Sequence, residues 1–441
     1  IKIMKKLIVL DIVGLSKKQF EKLKPKNISK ILENGSYGSF EPSFPAVTCS
    51  VQASIFSGTY PSEHGIISNG YYDELFKQIS FWEQPANLVK KPRIWDLLKK
   101  DNPDFSTALL FLQNSLYANS NVVLTPKPLH LDNKMIMWCY SKPENFYEKI
   151  TESIGNFDLK SYWGPFSSLK SSDWIINSAK ITIQNHLPDL LVTYLPHLDY
   201  TSQKFGPNSD EFKKSVDELD TLIGDFLLFL NQEFPNTYEI MVLSEYNFNE
   251  VNKSISPNLL LRQHGLLSTR RIEEKDYIDY EFSKAFAMVD HQIAHIYIKP
   301  GYEDEVKSVF KNQNVGTILD DNLQKNLKIN HSNSGDLILC SEINSWFNYY
   351  WWDDIKYAPD FTFNVDIHRK PGYDPLELFI DFKSKTISHD TSLIKGSHGL
   401  ISKDPMDLPL IGTSFESKID EKLPMIEIKN KIQNFFQENM Y

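Results

Sequence analysis

The sequence predicts an α/β fold in which a mostly parallel central sheet is flanked by helices. Three apolar segments each lead into an acid, at Asp11, Asp199 and Glu245. Continuous apolar runs are typical of parallel strands that are buried on both faces. Between them, apolar residues recur at helical spacing, most clearly over 171–186 and 211–234. Apolar strands that alternate with amphipathic helices are the pattern of a parallel sheet covered by helices.

The remaining elements follow from the same periodicities. Helical spacing also predicts helices over 16–32 and 303–311, and apolar runs predict strands at 107–112 and 335–342. No internal repeat or low-complexity segment interrupts this order.

The three acids share a position relative to their strands. Acids at the carboxyl ends of parallel strands face the crevice where open α/β sheets bind ligands. Asp11 alone could equally cap a turn. Three such acids in one chain indicate carboxylates collected at one sheet edge, as a metal site requires.

Length and composition limit the function classes. With 441 residues, the chain is long enough for one large α/β domain with insertions or for two to three ordinary domains. A net charge of -10 argues against a nucleic-acid polymer as partner, whereas a small phosphorylated substrate remains compatible. No apolar stretch approaches the roughly 20 residues that span a bilayer.

Cysteine usage favours a reducing compartment. Cys49, Cys139 and Cys340 are odd in number and far apart, which argues against a disulfide framework or a thiolate zinc site. The apolar run near the start is interrupted by Asp11 and Gly14, so we interpret it as a buried strand rather than a signal peptide. We therefore predict a cytoplasmic protein.

The stretch 44–69, FPAVTCSVQASIFSGTYPSEHGIISN, is the most informative in the chain. Thr48 stands where a helix begins and could simply cap it. The same geometry presents backbone N–H groups and a positive dipole end to a phosphate, which makes Thr48 a candidate nucleophile. The turn-rich loop that follows carries Asn69 and Tyr72 as candidate substrate-binding residues, although Tyr72 could instead be structural.

Histidines supply the other candidate ligands. His291 and His295 are four residues apart and would share a face on a helix or a strand; buried, hydrogen-bonded histidines are the alternative. His368 lies with Asp366 in a charged loop that could be catalytic or merely solvated. His398 stands in a GSHG turn, where small neighbours suit a ligand that must be approached closely.

Taken together, these motifs resemble the type I phosphodiesterase/nucleotide pyrophosphatase family of the alkaline phosphatase superfamily. The resemblance rests on the strand into Asp11, the Pro-x-x-Thr segment at Thr48, the loop GTYPSEHGIISNGYYD, the strand at 191–199 and the late GSHG. The motifs LPHLDY, SEY, DHQ-x-AH and VDIHRKPGYDP are similar to those of an atypical bacterial subgroup with altered metal ligands.

The resemblance implies an alkaline-phosphatase-like three-layer sandwich with an inserted cap subdomain. It also implies two divalent metal ions, usually zinc, roughly 4 Å apart. Thr48 would be the covalent nucleophile on one metal, and Asn69 would bind the phosphate. The ligand candidates are listed here in chain order: Asp11, Thr48, Asp199, Glu245, His291, His368 and His398.

Two positions depart from the family pattern. Four residues after the second acid the family has His, where this chain has Gln203. After the third acid the family has His-Gly, where this chain has Tyr246 and Asn247. Neither an amide nor a phenol is a good zinc donor, so manganese or magnesium is an alternative to zinc. His291 or His368 is predicted to replace a lost ligand, and His398 is preferred over His368 as the final one.

Three functions remain open at this point. The first is a metal-dependent hydrolase of small phosphodiester, pyrophosphate or phosphonate substrates. The second is a weakened or repurposed member that binds a phosphorylated ligand without turnover. The third is a phosphoryl or phospholipid-headgroup transferase.

Residues 1–441 are predicted to form one catalytic domain, monomeric or homodimeric, with insertions at about 70–165 and 247–345 as pocket walls and cap. The aromatic segment at 345–352 either packs a subdomain core or forms a stacking wall.

Overall fold

The computed structural model describes residues 5–132 and 134–439. At its centre is a nine-stranded mixed sheet in which parallel pairs outnumber antiparallel ones. Its strands, in spatial order, are Leu423–Pro424, Ser36–Glu41, Leu410–Thr413, Tyr238–Leu243, Lys6–Asp11, Leu190–Tyr194, Thr107–Leu110, Val122–Pro126 and Cys139–Lys142. The α/β prediction, with a mostly parallel sheet flanked by helices, is confirmed.

Helices supply the other layers of the domain. The predicted helices at 171–186 and 211–234 are confirmed as Leu169–His186 and Asp210–Glu233. The single helix predicted over 16–32 is wrong, because Pro25 cannot continue a helix and separates two short ones. The other α-helices are Lys17–Leu23, Lys26–Leu32, Thr48–Ser57, Pro61–His64, Ile94–Asp101, Phe146–Ile154, Leu159–Tyr162, His197–Phe205, Pro257–Gln263, Glu303–Asn312, Asp321–Asn326 and Glu427–Asn439.

A second sheet has four strands and is antiparallel. Its strands, in spatial order, are Ala285–Asp290, Ile293–Ile298, Leu337–Cys340 and Thr317–Leu319. Two-stranded pairs complete the strand inventory: Gly70–Asp73 with Gln78–Phe81, Leu129–His130 with Met135–Ile136, Asn249–Glu250 with Gly396–Ser397, Lys253–Ile255 with Ser345–Phe347, Thr269–Ile272 with Lys275–Ile278, and Ile380–Asp381 with Thr386–Ile387.

The two predicted insertions differ in structure. Residues 70–165 contribute three strands to the central sheet, so much of this range belongs to the main fold rather than to an inserted wall. Residues 247–345 hold the strands of the second sheet. Trp351 and Trp352 are buried in the apolar core beneath it, which favours core packing over a stacking wall.

No helix in residues 5–132 and 134–439 combines the length and apolarity needed to cross a membrane. The central sheet is packed by apolar side chains on Lys6–Asp11 and its neighbours, which are fully buried. Because the central strands are parallel and in register, Asp11 lies beside Tyr194 and Leu243 at the carboxyl ends of these strands. The candidate site lies at this end of the sheet.

Candidate functional site

The three predicted acids lie near the carboxyl ends of the central strands, but they occupy different positions relative to those strands. Asp11 ends its strand, and Glu245 follows two residues after the Tyr238–Leu243 strand. We had predicted that Asp199 ends a strand, and that prediction is wrong. The strand stops at Tyr194, and Asp199 lies in the first turn of His197–Phe205. Pro196 explains the difference, because a proline has no N–H to continue the ladder.

Thr48 is the first residue of the buried helix Thr48–Ser57. Its Oγ1 lies 2.8 Å from the Tyr246 hydroxyl. The next backbone N–H, that of Cys49, donates to Asn69 Oδ1 at 2.9 Å, so Asn69 caps the helix from the following loop. Thr48 and Asn69, the two predicted catalytic residues, therefore lie together at the positive end of a helix.

Asp290 fixes this loop. Its carboxylate accepts hydrogen bonds from Ser68 Oγ (2.6 Å), the Asn69 N–H (2.8 Å), Asn69 Nδ2 (3.1 Å) and His291 Nδ1 (2.6 Å). Burial alone would raise the pKa of Asp290, but the bonds from His291, Ser68 and Asn69 outweigh burial and lower it. Asp290 is thus held ionised, and it orients the Asn69 amide. An amide nitrogen carries two N–H donors, so the second is available to another acceptor.

Asp11 and Glu245 form a buried acid pair. Gln52 Nε2 donates to Glu245 Oε1 at 2.6 Å. Both oxygens of Asp11 and Oε2 of Glu245 have no hydrogen-bond partner among the described residues. Burial raises the pKa of Asp11 to about 7, and burial together with the charge of Asp11 raises the pKa of Glu245 well above its usual value. Burial and their mutual repulsion therefore oppose the ionisation of both carboxyl groups together.

Asp199 is held by the two residues that depart from the family pattern. Gln203 Nε2 donates to Oδ2 at 2.7 Å, and the Tyr246 hydroxyl donates to Oδ1 at 3.5 Å. Tyr373 in turn donates its hydroxyl to Gln203 Oε1 at 2.6 Å. Burial raises the pKa of Asp199 to about 6. Hydrogen-bond donors of the chain itself therefore occupy both oxygens of this acid.

His398 and His291 join the site as stacked rings. His398 donates from Nδ1 to the Ala46 carbonyl at 2.7 Å, and burial lowers its pKa well below the usual value. Its ring centroid lies 3.7 Å from that of Tyr246 and 3.8 Å from that of His291. The other face of the stack is Tyr373, 3.6 Å from His291. These two predicted ligands are thus adjacent to Asp199 and Thr48.

The backbone is strained at two of these positions. Glu245 and His291 have φ of 57° and 59°, in the left-handed region that non-glycine residues rarely adopt. Such strain costs of order 1–3 kcal/mol per residue and is concentrated at functional sites.

Three other predicted or considered residues lie elsewhere. His368 is in an exposed turn, and no hydrogen bond or ring contact joins it to the site within the described part of the chain. Tyr72 lies on the Gly70–Asp73 strand and packs against Phe286 and Tyr297. His295 is buried, with Nε2 on the Ile67 carbonyl and Nδ1 accepting from the Gly335 N–H, which is the structural alternative for this histidine.

Sequence reasoning missed Gln52, Asp290 and Tyr373. Gln52 lies four residues after Thr48 and therefore on the same helix face, which is a usable signal. Asp290 ends the apolar strand Ala285–Asp290, so it repeats the strand-then-acid pattern. Tyr373 belongs to the motif HRKPGYD but has no distinguishing feature of its own.

The predicted dinuclear metal centre is not supported by this donor set. In the residues that the structure describes, no three His, Cys, Asp or Glu side chains are grouped so that they could hold a metal ion. The unpartnered oxygens of Asp11 and Glu245 would suit a single cation. At Asp199, however, the oxygens already accept from Gln203 and Tyr246, and the residues present do not fit a second ion.

Comparisons with known proteins agree with the fold. The family described as Type I phosphodiesterase / nucleotide pyrophosphatase matches residues 7–374. An uncharacterized pyrophosphatase/phosphodiesterase of Schizosaccharomyces pombe is 28% identical over 187 residues, 42% of this chain and 32% of that protein. The chain thus spans about a third of the length of that relative.

Solved structures are similar over nearly the whole chain. Murine ectonucleotide pyrophosphatase/phosphodiesterase 5 has a TM-score of 0.62 at 13% identity, covering 98% of this chain and 95% of that chain. Phosphonoacetate hydrolase from Sinorhizobium meliloti, in complex with phosphonoformate, has a TM-score of 0.62 at 13% identity, covering 100% and 96%. Because the family match extends over most of the sequence, the chain belongs to the type I phosphodiesterase/nucleotide pyrophosphatase family of the alkaline phosphatase superfamily.

Proposed function

We propose that this protein is a phosphoryl-transfer hydrolase that uses Thr48 as its covalent nucleophile. The observation that carries the proposal is the Thr48 hydroxyl, which lies at a helix N-terminus within 2.8 Å of Tyr246 and next to Asn69. The positive end of the helix and the remaining N–H of Asn69 would bind the phosphoryl oxygens.

The chain of oxygens from Thr48 through Tyr246 to Asp199 gives the nucleophile's proton a path. Thr48 Oγ1 forms a bond to phosphorus while the bond from phosphorus to the leaving atom breaks. The leaving atom is an oxygen in a phosphodiester or pyrophosphate and a carbon in a phosphonate, and it takes a proton from solvent. The Thr48 proton passes to Tyr246 as Tyr246 gives its own to Asp199. Water then attacks the phosphothreonine and releases its proton to solvent. The Thr48 oxygen leaves phosphorus and recovers its proton by the reverse path.

The substrates that we propose are small phosphodiesters, pyrophosphates or phosphonates. An inactive variant of the murine relative was solved with AMP and the Sinorhizobium relative with phosphonoformate, both small phosphorus ligands. A net charge of -10 disfavours a polymeric nucleic acid. Half-buried Trp82 and Trp163 pack against Tyr373 beside His291 and would offer a stackable surface to a leaving group.

One observation favours binding without turnover as the second candidate. Gln203 and Tyr246 stand where the family pattern has imidazoles, and both are hydrogen-bonded to Asp199. A site of this kind could hold a phosphoryl group and release it unchanged.

Turnover of bis(p-nitrophenyl) phosphate, p-nitrophenyl phosphate and phosphonoacetate tests the proposal. We expect wild-type protein and Ser50→Ala to act alike, since Ser50 Oγ is buried in the same helix without a hydrogen-bond partner among the described residues. Thr48→Ala should lose activity by at least about 10³-fold. Activity that survives in Thr48→Ala would refute the covalent mechanism. Binding of inorganic phosphate without turnover of any substrate would establish the second candidate.

A further inference from the structure

Side chains of the protein itself donate hydrogen bonds to both oxygens of Asp199. Asp199 Oδ2 accepts from Gln203 at 2.7 Å, and Oδ1 accepts from Tyr246 at 3.5 Å. Gln203 and Tyr246 are each 1% exposed, so water does not compete for these bonds. Both oxygens of this carboxylate are engaged by buried donors, so an ion that bound Asp199 would have to displace at least one of these hydrogen bonds.

The orientation of Gln203 is fixed. The Tyr373 hydroxyl donates to Gln203 Oε1 at 2.6 Å, which leaves the NH₂ group to face Asp199. A flip that turned the amide oxygen toward an ion would take the NH₂ donor away from Asp199 and set the amide oxygen beside the carboxylate. Gln203 therefore cannot act as an oxygen ligand without losing its buried hydrogen bond to Asp199.

Tyr246 fills the space between nucleophile and acid. Its oxygen lies 2.8 Å from Thr48 Oγ1 and 3.5 Å from Asp199 Oδ1, and its ring is stacked on His398 at 3.7 Å. An ion that bridged Thr48 and Asp199 would have to displace a buried phenol from between them.

The neighbouring histidines are arranged for stacking. The rings of His291 and His398 are tilted by 37° with centroids 3.8 Å apart, and their Nδ1 atoms are engaged by Asp290 and the Ala46 carbonyl. Each ring is also stacked on a tyrosine, His291 on Tyr373 and His398 on Tyr246, so both are held in place by aromatic neighbours.

We infer that hydrogen bonds from Gln203 and Tyr246 replace the ion at Asp199, so that this chain holds Thr48 and a phosphoryl ligand without a dinuclear zinc centre. The inference concerns the ligands of the site and holds whether or not Thr48 turns substrate over. It is therefore tested by metal content and by phosphate binding rather than by activity.

The experiment measures zinc per chain after zinc loading and exhaustive dialysis. In wild-type protein we expect no zinc whose retention depends on Asp199. A single ion that Asp199→Asn retains also agrees, because it would belong to Asp11 and Glu245. Two zinc ions per chain, or one that Asp199→Asn releases, would overturn the inference.

A gain-of-binding variant makes the same test from the other direction. We expect Gln203→His/Tyr246→His to acquire zinc and to be stabilised thermally by it. Gln313→His/Tyr37→His adds two imidazoles at exposed positions and should acquire none. A folded Gln203→His/Tyr246→His protein that binds no zinc would contradict the role given to these residues. Should that variant fail to fold, the wild-type comparison with Asp199→Asn decides.

Phosphate binding supplies the last readout. Titration of inorganic phosphate in a calorimeter should give the same affinity with and without EDTA. A loss of affinity on the order of tenfold or more in EDTA that wild type shows and Asp199→Asn does not would overturn the inference. A loss that both proteins show would belong to an ion at Asp11 and Glu245 and agrees with it.

Discussion

The two halves of the site are built by different means. The nucleophile half, defined here as Thr48, Asn69, Asp290 and the loop between 61 and 69, consists of a helix N-terminus and buried hydrogen bonds that resemble the family pattern. The acid half, defined as Asp199, Gln203 and Tyr246, departs from the family pattern. Gln203 and Tyr246 donate hydrogen bonds to the two oxygens of Asp199. The helix N-terminus and its loop thus keep the family pattern, while the residues around Asp199 depart from it.

The largest effect on stability should come from Asp290 in the nucleophile half. Asp290→Asn places an NH₂ group against donors from Ser68 and Asn69, so buried donors oppose one another. We expect a loss of about 3 kcal/mol in the free energy of unfolding, measured with urea. The matched change Asp366→Asn alters a half-buried carboxylate that pairs with the exposed Arg369, and it should cost about 1 kcal/mol. Equal losses in the two variants would contradict the central role of Asp290.

A mutation in the acid half should affect turnover more than folding. Tyr246→Phe keeps the ring stacked on His398 but removes the hydroxyl between Thr48 and Asp199. We expect turnover to fall by about 10²-fold with a stability change of about 1 kcal/mol. Tyr238→Phe, which removes a hydrogen bond to the Pro188 carbonyl at the other end of the adjoining strand, should lose similar stability and no activity. Undiminished turnover in Tyr246→Phe would refute the proton path.

Part of the acid sensitivity of the folded protein should arise in the nucleophile half. His64 accepts from the Ile66 N–H and donates to Ser54 at 2.8 Å. His295 accepts from the Gly335 N–H and donates to the Ile67 carbonyl. Burial lowers the pKa of His64 to about 3 and that of His295 to about 4. The unfolded chain takes up protons below about pH 6.5, whereas the folded chain does not until pH 4 or below.

Stability should therefore be full above pH 6.5 and fall by about 2 kcal/mol per histidine at pH 5. Urea unfolding across this range measures the slope. His295→Gln cannot titrate and should show a shallower slope than wild type. Parallel curves for the two proteins would show that His295 titrates normally in the fold.

The smallest effect should be seen at His368. Its turn is exposed and lies outside both halves, so His368→Ala should leave turnover and stability unchanged within about 0.5 kcal/mol. His398→Ala removes a buried ring from between Tyr246 and His291 and should lose both. Activity lost in His368→Ala would return His368 to the site and reopen the choice between the two histidines.

Much of the fold could be read from the sequence because its signals are local. The strand Lys6–Asp11 and the helix Asp210–Glu233 follow from apolar periodicity, and Pro25 and Pro196 mark the two places where a predicted element is broken. The position of Thr48 at a helix start was likewise predictable.

The polar partners could not be predicted, because they join residues far apart in the chain. Tyr373 meets Gln203 across 170 positions, and Asp290 meets Asn69 across 221. The GSHG turn favoured His398 over His368, but the sequence did not show that His368 is exposed and His398 buried. Whether an imidazole faces an acid or the solvent depends on tertiary packing, which only the folded chain reveals.

A crystal soaked with zinc and orthovanadate, with anomalous scattering collected at the zinc edge, tests the central claim most directly. We expect vanadium bound to Thr48 Oγ1, Gln203 still donating to Asp199, and no zinc peak at Asp199. A zinc peak between Asp199 and Thr48, with Tyr246 displaced, would contradict it.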